Sequence, residues 1–378
     1  MYLSHFAVHD PIQGRPDLVE KYRKKLAQMK KPAGAPFILE GNPDDPQPLS
    51  RTQLDNLLKD PRYAGYTVLP QHTVKIKQFQ DNVQFAAMVE SMDESMGRVM
   101  NKLKELGIDQ NTIIIFASDN GGMSAANIGN PYRVIKPDAL DGAFSSSNLP
   151  LRGGKGWMYE GGIRVPVIIK WPDQGKAGNE SHVPIISTDF YPTILDMLGL
   201  PLLPEQHKDG VSITPLLKGK EAINRKAIFW HSPHYSNHGM QSPGGAVRYG
   251  DYKLIEYYEN NTVQLFNLAN DIGEQHDISK QEPGKVKELR TLLHQWRKSV
   301  NAKMPVSNPA FSPDSSAGPR AVTKATVDHS AIQYKILSTA QTGGLLGERI
   351  NLWRNKRLWY VAKAPFLLQG FESRPGEH

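Results

Sequence analysis

The sequence predicts an α/β fold followed by a small antiparallel subdomain, and three observations support this prediction. Apolar residues keep helical spacing from about residue 80 to 106. The β-branched run TIIIFAS (112–118) and the stretch GIRVPVIIKWP (162–172) are typical of strands. After about residue 224 the chain changes to short alternating segments with tight turns, which favour antiparallel strands. Helix, strand, loop, strand and helix in this order indicate a layered α/β domain.

The first hundred residues contain two predicted helices. MYLSHFAVH (1–9) predicts a buried strand, and LVEKYRKKLAQM (18–29) has the spacing of a helix. Residues 32–70 are rich in Pro, Gly and Asp, so we expect a long loop there. The helix over 80–106 has an apolar face that includes several methionines, which we interpret as core rather than as a binding groove. Gly107 is a natural end for it.

The second half predicts one more helix in the α/β domain and then the antiparallel subdomain. DFYPTILDMLGL (189–200) is typical of a helix that Asp189 caps. AIFWHSPHY, GAVRYGDYKLIEYYE and TVQLFNL are typical of strands, and EPGKVKELRTLLHQWRKSV predicts a closing amphipathic helix. We therefore expect three parts: an α/β domain over 1–223, the antiparallel subdomain over 224–307, and a linker and tail of unknown role over 308–378.

Composition limits the class of protein. The chain has 378 residues, 39% of them hydrophobic and 22% charged, with a net charge of +7, which suits a globular protein. It has no cysteine, which excludes disulfides and thiolate metal sites without fixing the compartment. No basic run has the density of a nucleic-acid site, and no apolar run is long enough for a membrane span. The first residues also lack the pattern of a signal peptide.

Polar residues stand at the ends of predicted strands. Asp119 and Asn120 follow a strand directly, and a carboxylate beside an amide oxygen suits Ca²⁺ or Mg²⁺, although Asp-Asn-Gly is also a common turn. His9 ends the first predicted strand, where a purely structural role is the alternative. Lys155 lies alone among the glycines of RGGKGWMYEGGIRVP (152–166). Glycine lets backbone approach a ligand closely, and the lysine supplies a point charge for an anion.

These residue types together suit the chemistry of a tetrahedral oxyanion ester. A lysine and a metal ion would neutralise the charge that develops on the ester oxygens. A histidine would donate or accept a proton. We therefore expect His9 and Lys155 to be catalytic, with Asp119 and Asn120 as metal ligands.

FASDNGG, followed by LRGGKGWMYEGGIRVPVIIKWP, resembles the sulfatases, which belong to the alkaline-phosphatase-like superfamily. LSHFAVHDPIQ, STDFYPTILDMLGL, DGVSITPLLKG and VQLFNLANDIGEQHDIS are similar to further segments of that family, in order over residues 1–305. The resemblance implies a mixed sheet between helices and a small C-terminal antiparallel sheet with a helix. It also implies a metal-dependent sulfuric ester hydrolase, which we expect to act on sulfated carbohydrates or small molecules in the periplasm or outside the cell.

The resemblance assigns roles to the strand-end residues. Asp119 and Asn120 match two ligands of the family's divalent cation, which is usually Ca²⁺, with Mg²⁺ possible. Lys155 matches the lysine that contacts the sulfate ester, and His9 matches the histidine near the leaving-group oxygen.

Four further residues receive weaker assignments. His231 and His234 in WHSPHY are candidate substrate-binding residues, with a structural role at the strand end as the alternative. Glu160 and Arg164 are expected to brace the glycine-rich loop.

The sequence departs from the family at the nucleophile. Sulfatases use a formylglycine made from the Cys or Ser of a Cys/Ser-x-Pro-x-Arg motif, and this motif is absent here. The nearest similarity, NLPLR (148–152), begins with Asn148, which cannot serve as the nucleophile. The paired aspartates of the family's first strand are absent as well. We expect the sequence to lack the N-terminal part of a sulfatase and to be inactive alone. The alternatives are a non-catalytic sulfate- or glycan-binding remnant, or a phosphatase or phosphodiesterase of the same superfamily.

Overall fold

The computed structural model describes residues 1–41, 49–63, 70, 73–124, 144–235 and 241–306. These residues fall within one unit, Met1–Ser307. The predicted linker and tail over 308–378 lies outside the described residues. In the part of the chain that is described, no helix is both long and apolar enough to cross a membrane.

Among the described residues, helices and strands alternate up to Lys170, and two helices, four consecutive strands and a last helix follow. The helices are α1 (Pro16–Gln28), α2 (Arg51–Leu57), α3 (Val83–Glu105), α4 (Glu160–Ile163), α5 (Phe190–Met197), α6 (Thr214–Leu217) and α7 (Pro283–Ser299). The strands are β1 (Phe37–Gly41), β2 (Thr73–Lys77), β3 (Ile114–Ala117), β4 (Val167–Lys170), β5 (Ala227–Ser232), β6 (Gly244–Tyr249), β7 (Tyr252–Tyr257) and β8 (Val263–Asn267). Short 3₁₀ turns occupy Asp109–Asn111 and Ser187–Asp189.

The described strands pair antiparallel in three sheets. β1 pairs with β2, β3 pairs with β4, and β5 to β8 form a four-stranded sheet in chain order. Ala117 lies opposite Val167, so the segments that follow β3 and precede β4 come together at one end of this pair. The predicted α/β class is confirmed, as is the C-terminal antiparallel sheet with its helix.

Helix α3 confirms the long helix predicted over 80–106. The Asn82 side chain accepts a hydrogen bond from the backbone N–H of Phe85 (3.0 Å) and caps the first turn. Ala87 of α3 packs against Leu18 and Val19 of α1, so the two predicted helices bury their apolar faces against each other.

The strand predicted over residues 1–9 is wrong. These residues form no strand, and the backbone N–H of His9 turns back to donate to the carbonyl of Phe6 (2.8 Å). The side chain of Phe6 is 68% exposed. An apolar run forms a strand only where a neighbour accepts its backbone hydrogen bonds, and none of the described strands pairs with this segment.

The long loop predicted over 32–70 is also wrong in part, because β1 and α2 lie within it. Strand β1 pairs with β2, which begins more than thirty positions after β1 ends. Because no short turn connects the two strands, the sequence around β1 contains no hairpin signal. Helix α2 begins with a capping box, in which Ser50 and Gln53 satisfy each other's backbone N–H groups.

Helix α5 forms where predicted, but Asp189 does not cap it through its side chain. The carboxylate accepts hydrogen bonds from the Arg225 guanidinium (2.6 Å) and from the backbone N–H groups of Val211 (3.0 Å) and Ile186 (2.9 Å). Asp189 is fully buried, so it holds three separate segments together instead of one helix end.

Helix α7 covers one face of the C-terminal sheet. Leu289 and Leu293 of the helix pack against Val247, Leu254 and Leu265 of the strands, and all five are fully buried. This is the apolar face that the sequence predicts for the closing helix. The sheet is therefore a firm support for the loops that pack on its other side.

Candidate functional site

Two glycine-rich loops meet at the end of the β3–β4 pair. The backbone N–H of Gly121 donates to the carbonyl of Gly162 (2.9 Å), and the N–H of Lys155 donates to the carbonyl of Gly122 (3.1 Å). A Cβ atom on Gly121 would lie 1.8 Å from the carbonyl oxygen of Gly161. The glycines are therefore required for direct contact between the two backbones, and this contact fixes where Lys155 leaves its loop.

Asn148 joins the same loops through its side chain. Its Nδ2 group lies 2.8 Å from the carbonyl oxygen of Gly122, 3.1 Å from that of Gly153 and 3.2 Å from that of Gly161. The first residue of NLPLR therefore has a structural role, which agrees with its unsuitability as a nucleophile.

Lys155 and His9 are in contact although they are 146 residues apart. The Nζ atom of Lys155 lies 2.7 Å from Nε2 of His9. Nδ1 of His9 lies 2.7 Å from Oδ1 of Asp10, and the His9 side chain is 51% exposed. The tautomer with its proton on Nδ1 fits both contacts, because Nδ1 then donates to Asp10 and Nε2 accepts from Lys155. An anion that reaches Lys155 therefore comes within range of an oriented imidazole.

Asp119 and Asn120 form the turn that follows β3. Oδ1 of Asp119 accepts from the backbone N–H of Asn120 (2.9 Å), and Nδ2 of Asn120 donates to the carbonyl of Gly121 (2.9 Å). The two neighbouring side chains offer a carboxylate oxygen and an amide oxygen, which are the types of ligand that Ca²⁺ and Mg²⁺ prefer. Ca²⁺ takes about six to eight oxygens. Within the described residues, no group of three or more His, Cys, Asp or Glu side chains could hold a metal ion.

The two C-terminal histidines have different surroundings. Nδ1 of His231 lies 2.7 Å from the hydroxyl of Tyr258, and its Nε2 lies 2.8 Å from the carbonyl oxygen of Lys303. Both ring nitrogens thus have a protein partner, which favours the structural interpretation of this residue. His234 lies at an exposed bend just after β5. Substrate binding by either histidine stays a prediction.

A buried ion cluster lies beneath the glycine-rich loop. Lys253 of β7 is fully buried, with Nζ 3.0 Å from Oε1 of Glu160 and 2.8 Å from Oε1 of Glu274. The backbone N–H of Glu160 donates to Oε2 of Glu274 (2.6 Å). Burial raises the pKa of Glu274, although the ammonium of Lys253 opposes that rise. Ion pairs with Lys253 therefore link the loop that carries Lys155 to the C-terminal sheet.

Arg164, the other residue predicted to brace the loop, also contacts Glu160. Its Nη1 atom lies 3.7 Å from Oε2 of Glu160.

Arg152 anchors the other end of the loop. Its Nη1 group donates to the carbonyl of Glu274 (2.9 Å), and Nη2 lies 3.1 Å from Oε2 of Glu40 in β1. Its guanidinium stacks 4.2 Å from the centre of the Tyr159 ring. No sequence signal points to Glu40, Lys253 or Glu274, because each belongs to a distant segment and none lies in a motif.

Two family models and several known proteins match this chain. A family model described as Sulfatase matches residues 1–200, and one described as N-sulphoglucosamine sulphohydrolase, C-terminal, matches residues 154–302. The chain is 30% identical over 300 residues to a sulfatase of Formosa agariphila, which covers 69% of this chain and 51% of that protein. It is 30% identical over 213 residues to an N-acetylgalactosamine-6-O-sulfatase of Bacteroides thetaiotaomicron, which covers 53% of this chain and 39% of that protein.

One solved structure shows the fold. It is described as a complex with its substrate D-glucosamine-2-N,6-O-disulfate, and it matches with a TM-score of 0.52 and 22% identity over 78% of this chain and 64% of that chain. This chain spans about half the length of the curated relatives it matches.

Proposed function

Because this chain belongs to the sulfatase family and has its alkaline-phosphatase-like fold, we propose that it carries a sulfate-ester site centred on Lys155 and His9. The observation that supports this most directly is the 2.7 Å contact between Lys155 Nζ and His9 Nε2 at the mouth of the glycine-rich loop. The reaction class is hydrolysis of a sulfuric ester, and each residue has a separate part in it.

Lys155 binds the sulfate group. Its ammonium neutralises charge on the sulfate oxygens, and the rigid backbone contact at Gly122 holds it in place before substrate arrives. His9 serves the leaving oxygen. Once the Lys155 ammonium pairs with the sulfate, Nε2 of His9 is released from it, and a His9 ring that carries a proton on Nε2 donates this proton to the alkoxide as the S–O bond breaks. Asp10 orients the ring through Nδ1.

Asp119 and Asn120 would hold a divalent cation, Ca²⁺ or Mg²⁺, with further oxygen ligands needed to complete its coordination. When bound, the cation would supply additional positive charge at the ester oxygens. The sequence contains no formylglycine motif. We therefore infer that the residues present bind and orient the ester, and that this chain alone does not turn it over.

A sulfated carbohydrate is the substrate class that we favour. The Bacteroides relative is named for a sulfated sugar, and the structural neighbour is described with a disulfated glucosamine. We propose a periplasmic or secreted location, which the same family membership supports, and fractionation of the source cells with an antibody against the chain would test it. A sulfate- or glycan-binding role without catalysis is the second candidate, and the missing nucleophile motif favours it.

Calorimetric titration of the full chain with glucosamine 6-sulfate, in the presence of Ca²⁺, tests the proposed site. We expect this ester to bind at least about tenfold more tightly than unsulfated glucosamine, because only the ester pairs with Lys155. Equal affinity for the two sugars would overturn the proposal.

Glucosamine 6-phosphate at pH 5 separates the reaction classes. Below the second phosphate pKa of about 6, both esters carry about one negative charge, so the comparison is matched in charge. We expect the sulfate ester to bind more tightly, since it only accepts hydrogen bonds and the site offers donors. Tighter binding of the phosphate ester would favour a phosphatase or phosphodiesterase.

A further inference from the structure

Basic residues recur along one side of α7. They are spaced by three or four positions, or lie next to one another, so they share one face of the helix. This basic face consists of Lys287, Arg290, His294, Arg297 and Lys298. At 1.5 Å per residue it extends about 16 Å along the helix. The apolar side of α7 packs on the sheet. Of the basic face, Lys287, His294 and Lys298 are exposed and Arg290 is half-buried, whereas only 12% of the Arg297 side chain is exposed.

The charge on this face is only partly balanced. Glu256 of β7 accepts from Arg290 Nε (2.7 Å), and it lies 2.9 Å from both His294 Nε2 and Arg297 Nη2. Burial alone would raise the pKa of Glu256, but the contacts with His294, Arg290 and Arg297 outweigh it and the pKa is lowered. One carboxylate thus meets two guanidinium groups and an imidazole, and the flanking Lys287 and Lys298 add to the positive excess.

The basic face continues toward β5. The Arg297 guanidinium lies 5.1 Å from the centre of the Tyr258 ring, and the Tyr258 hydroxyl lies 2.7 Å from Nδ1 of His231. On its other flank, Lys287 lines an open groove with Lys226, Glu288 and the aromatic rings of Phe229 and Tyr249. A polymer along α7 would therefore meet cations and aromatic surface together, which is a common composition for ligand sites.

We propose that the basic face of α7 is an accessory binding site for a sulfated polysaccharide. The basic face carries a positive excess and extends about 16 Å along α7. Both properties suit a polymer with repeated anionic groups better than a single small anion. The choice of a sulfated polysaccharide among polyanions rests on the proposed function, whereas the cationic surface itself does not. Helix α7 contributes no residue to the Lys155 site described above, so each site can be altered without changing the residues of the other. A polymer held on α7 raises the effective concentration of its sulfate groups near the chain.

The test measures binding of fluorescein-labelled dextran sulfate to the full chain by anisotropy, at several salt concentrations. The variant Lys287→Gln/Lys298→Gln is expected to weaken binding about tenfold or more. It should also lessen the salt dependence of binding, because a protein with fewer cations displaces fewer counterions from the polymer when it binds. These lysines do not contact Glu256, so its contacts with Arg290, His294 and Arg297 are retained. Lys24→Gln/Lys25→Gln on α1 is the charge-matched control and is expected to bind as the wild type does.

Three results would overturn the proposal. An equal loss in both double variants would show attraction by net charge alone. Loss of dextran sulfate binding in Lys155→Met, with no loss in the α7 variant, would place all binding at the candidate site. Equal affinity for a DNA oligonucleotide of matched charge would show that the surface does not select a sulfated glycan. Because the proposed function is tested with a monosaccharide, its failure and the failure of this surface are separate results.

Discussion

Replacing Lys253 with methionine is expected to lower the free energy of unfolding by about 3–5 kcal/mol at neutral pH. Methionine fills a similar volume, but it leaves the carboxylates of Glu160 and Glu274 buried beside each other without the ammonium between them. Arg164 and Arg248 each lie 3.7 Å from Glu160, so most of the loss comes from Glu274. Urea unfolding followed by circular dichroism measures the change.

The pH dependence of this loss has a definite sign. The pKa of Glu274 is already raised above its ordinary 4.5, and removal of the cation raises it further. A carboxyl group with a raised folded-state pKa favours folding below its unfolded pKa, and that contribution is lost as the pH rises through the folded value. The Lys253→Met penalty should therefore be smaller near pH 5 than at pH 7.5.

Two further variants define the Lys253 result. Glu274→Gln added to Lys253→Met should restore part of the stability, because the buried negative charge is removed. Lys226→Met, at an exposed lysine just before β5, should change stability by no more than about 0.5 kcal/mol. A loss below about 1 kcal/mol in Lys253→Met would contradict the account of the ion cluster.

The purified chain is expected to hydrolyse sulfate esters on the order of 10⁶-fold more slowly than an active enzyme with its nucleophile in place. The sequence has no cysteine and no serine in a formylglycine motif, so we expect it to bind and orient the ester without supplying the attacking group. Sulfate released from glucosamine 6-sulfate, measured by ion chromatography, gives the rate.

Lys155→Met is the control for the rate measurement, because any contaminating sulfatase would be unaffected by it. Turnover in the ordinary range of about 1–10³ s⁻¹ that disappears in Lys155→Met would contradict the expectation. Such a result would mean that another group of this chain serves as nucleophile.

Local patterns predicted the parts of the molecule that depend on local contacts. The long apolar face of α3 and the glycines around Lys155 both have readable signals, and both lie where expected. The strand over residues 1–9 failed, because an apolar run does not reveal whether a partner strand exists. His9 and Lys155 nonetheless come together, although His9 lies in a turn and not at the end of a strand.

The support beneath the site could not be predicted in this way. Lys253 reaches Glu160 across 93 positions, and Glu160 reaches Glu274 across 114. In the strand YKLIEY (252–257) the lysine has no feature that marks it as fully buried. Contacts of this kind follow only from the packing of the C-terminal sheet against the loop, which no single segment encodes.

The most direct test of the sulfate-ester site compares binding of glucosamine 6-sulfate to the wild type, Lys155→Met and Lys220→Met. Lys220 is an exposed lysine outside the site and serves as the matched control. The account predicts that Lys155→Met weakens binding about tenfold or more, because a charge-assisted contact with the ester is lost, while Lys220→Met binds as the wild type does. Unchanged affinity in Lys155→Met would contradict the assignment of the glycine-rich loop as the sulfate site.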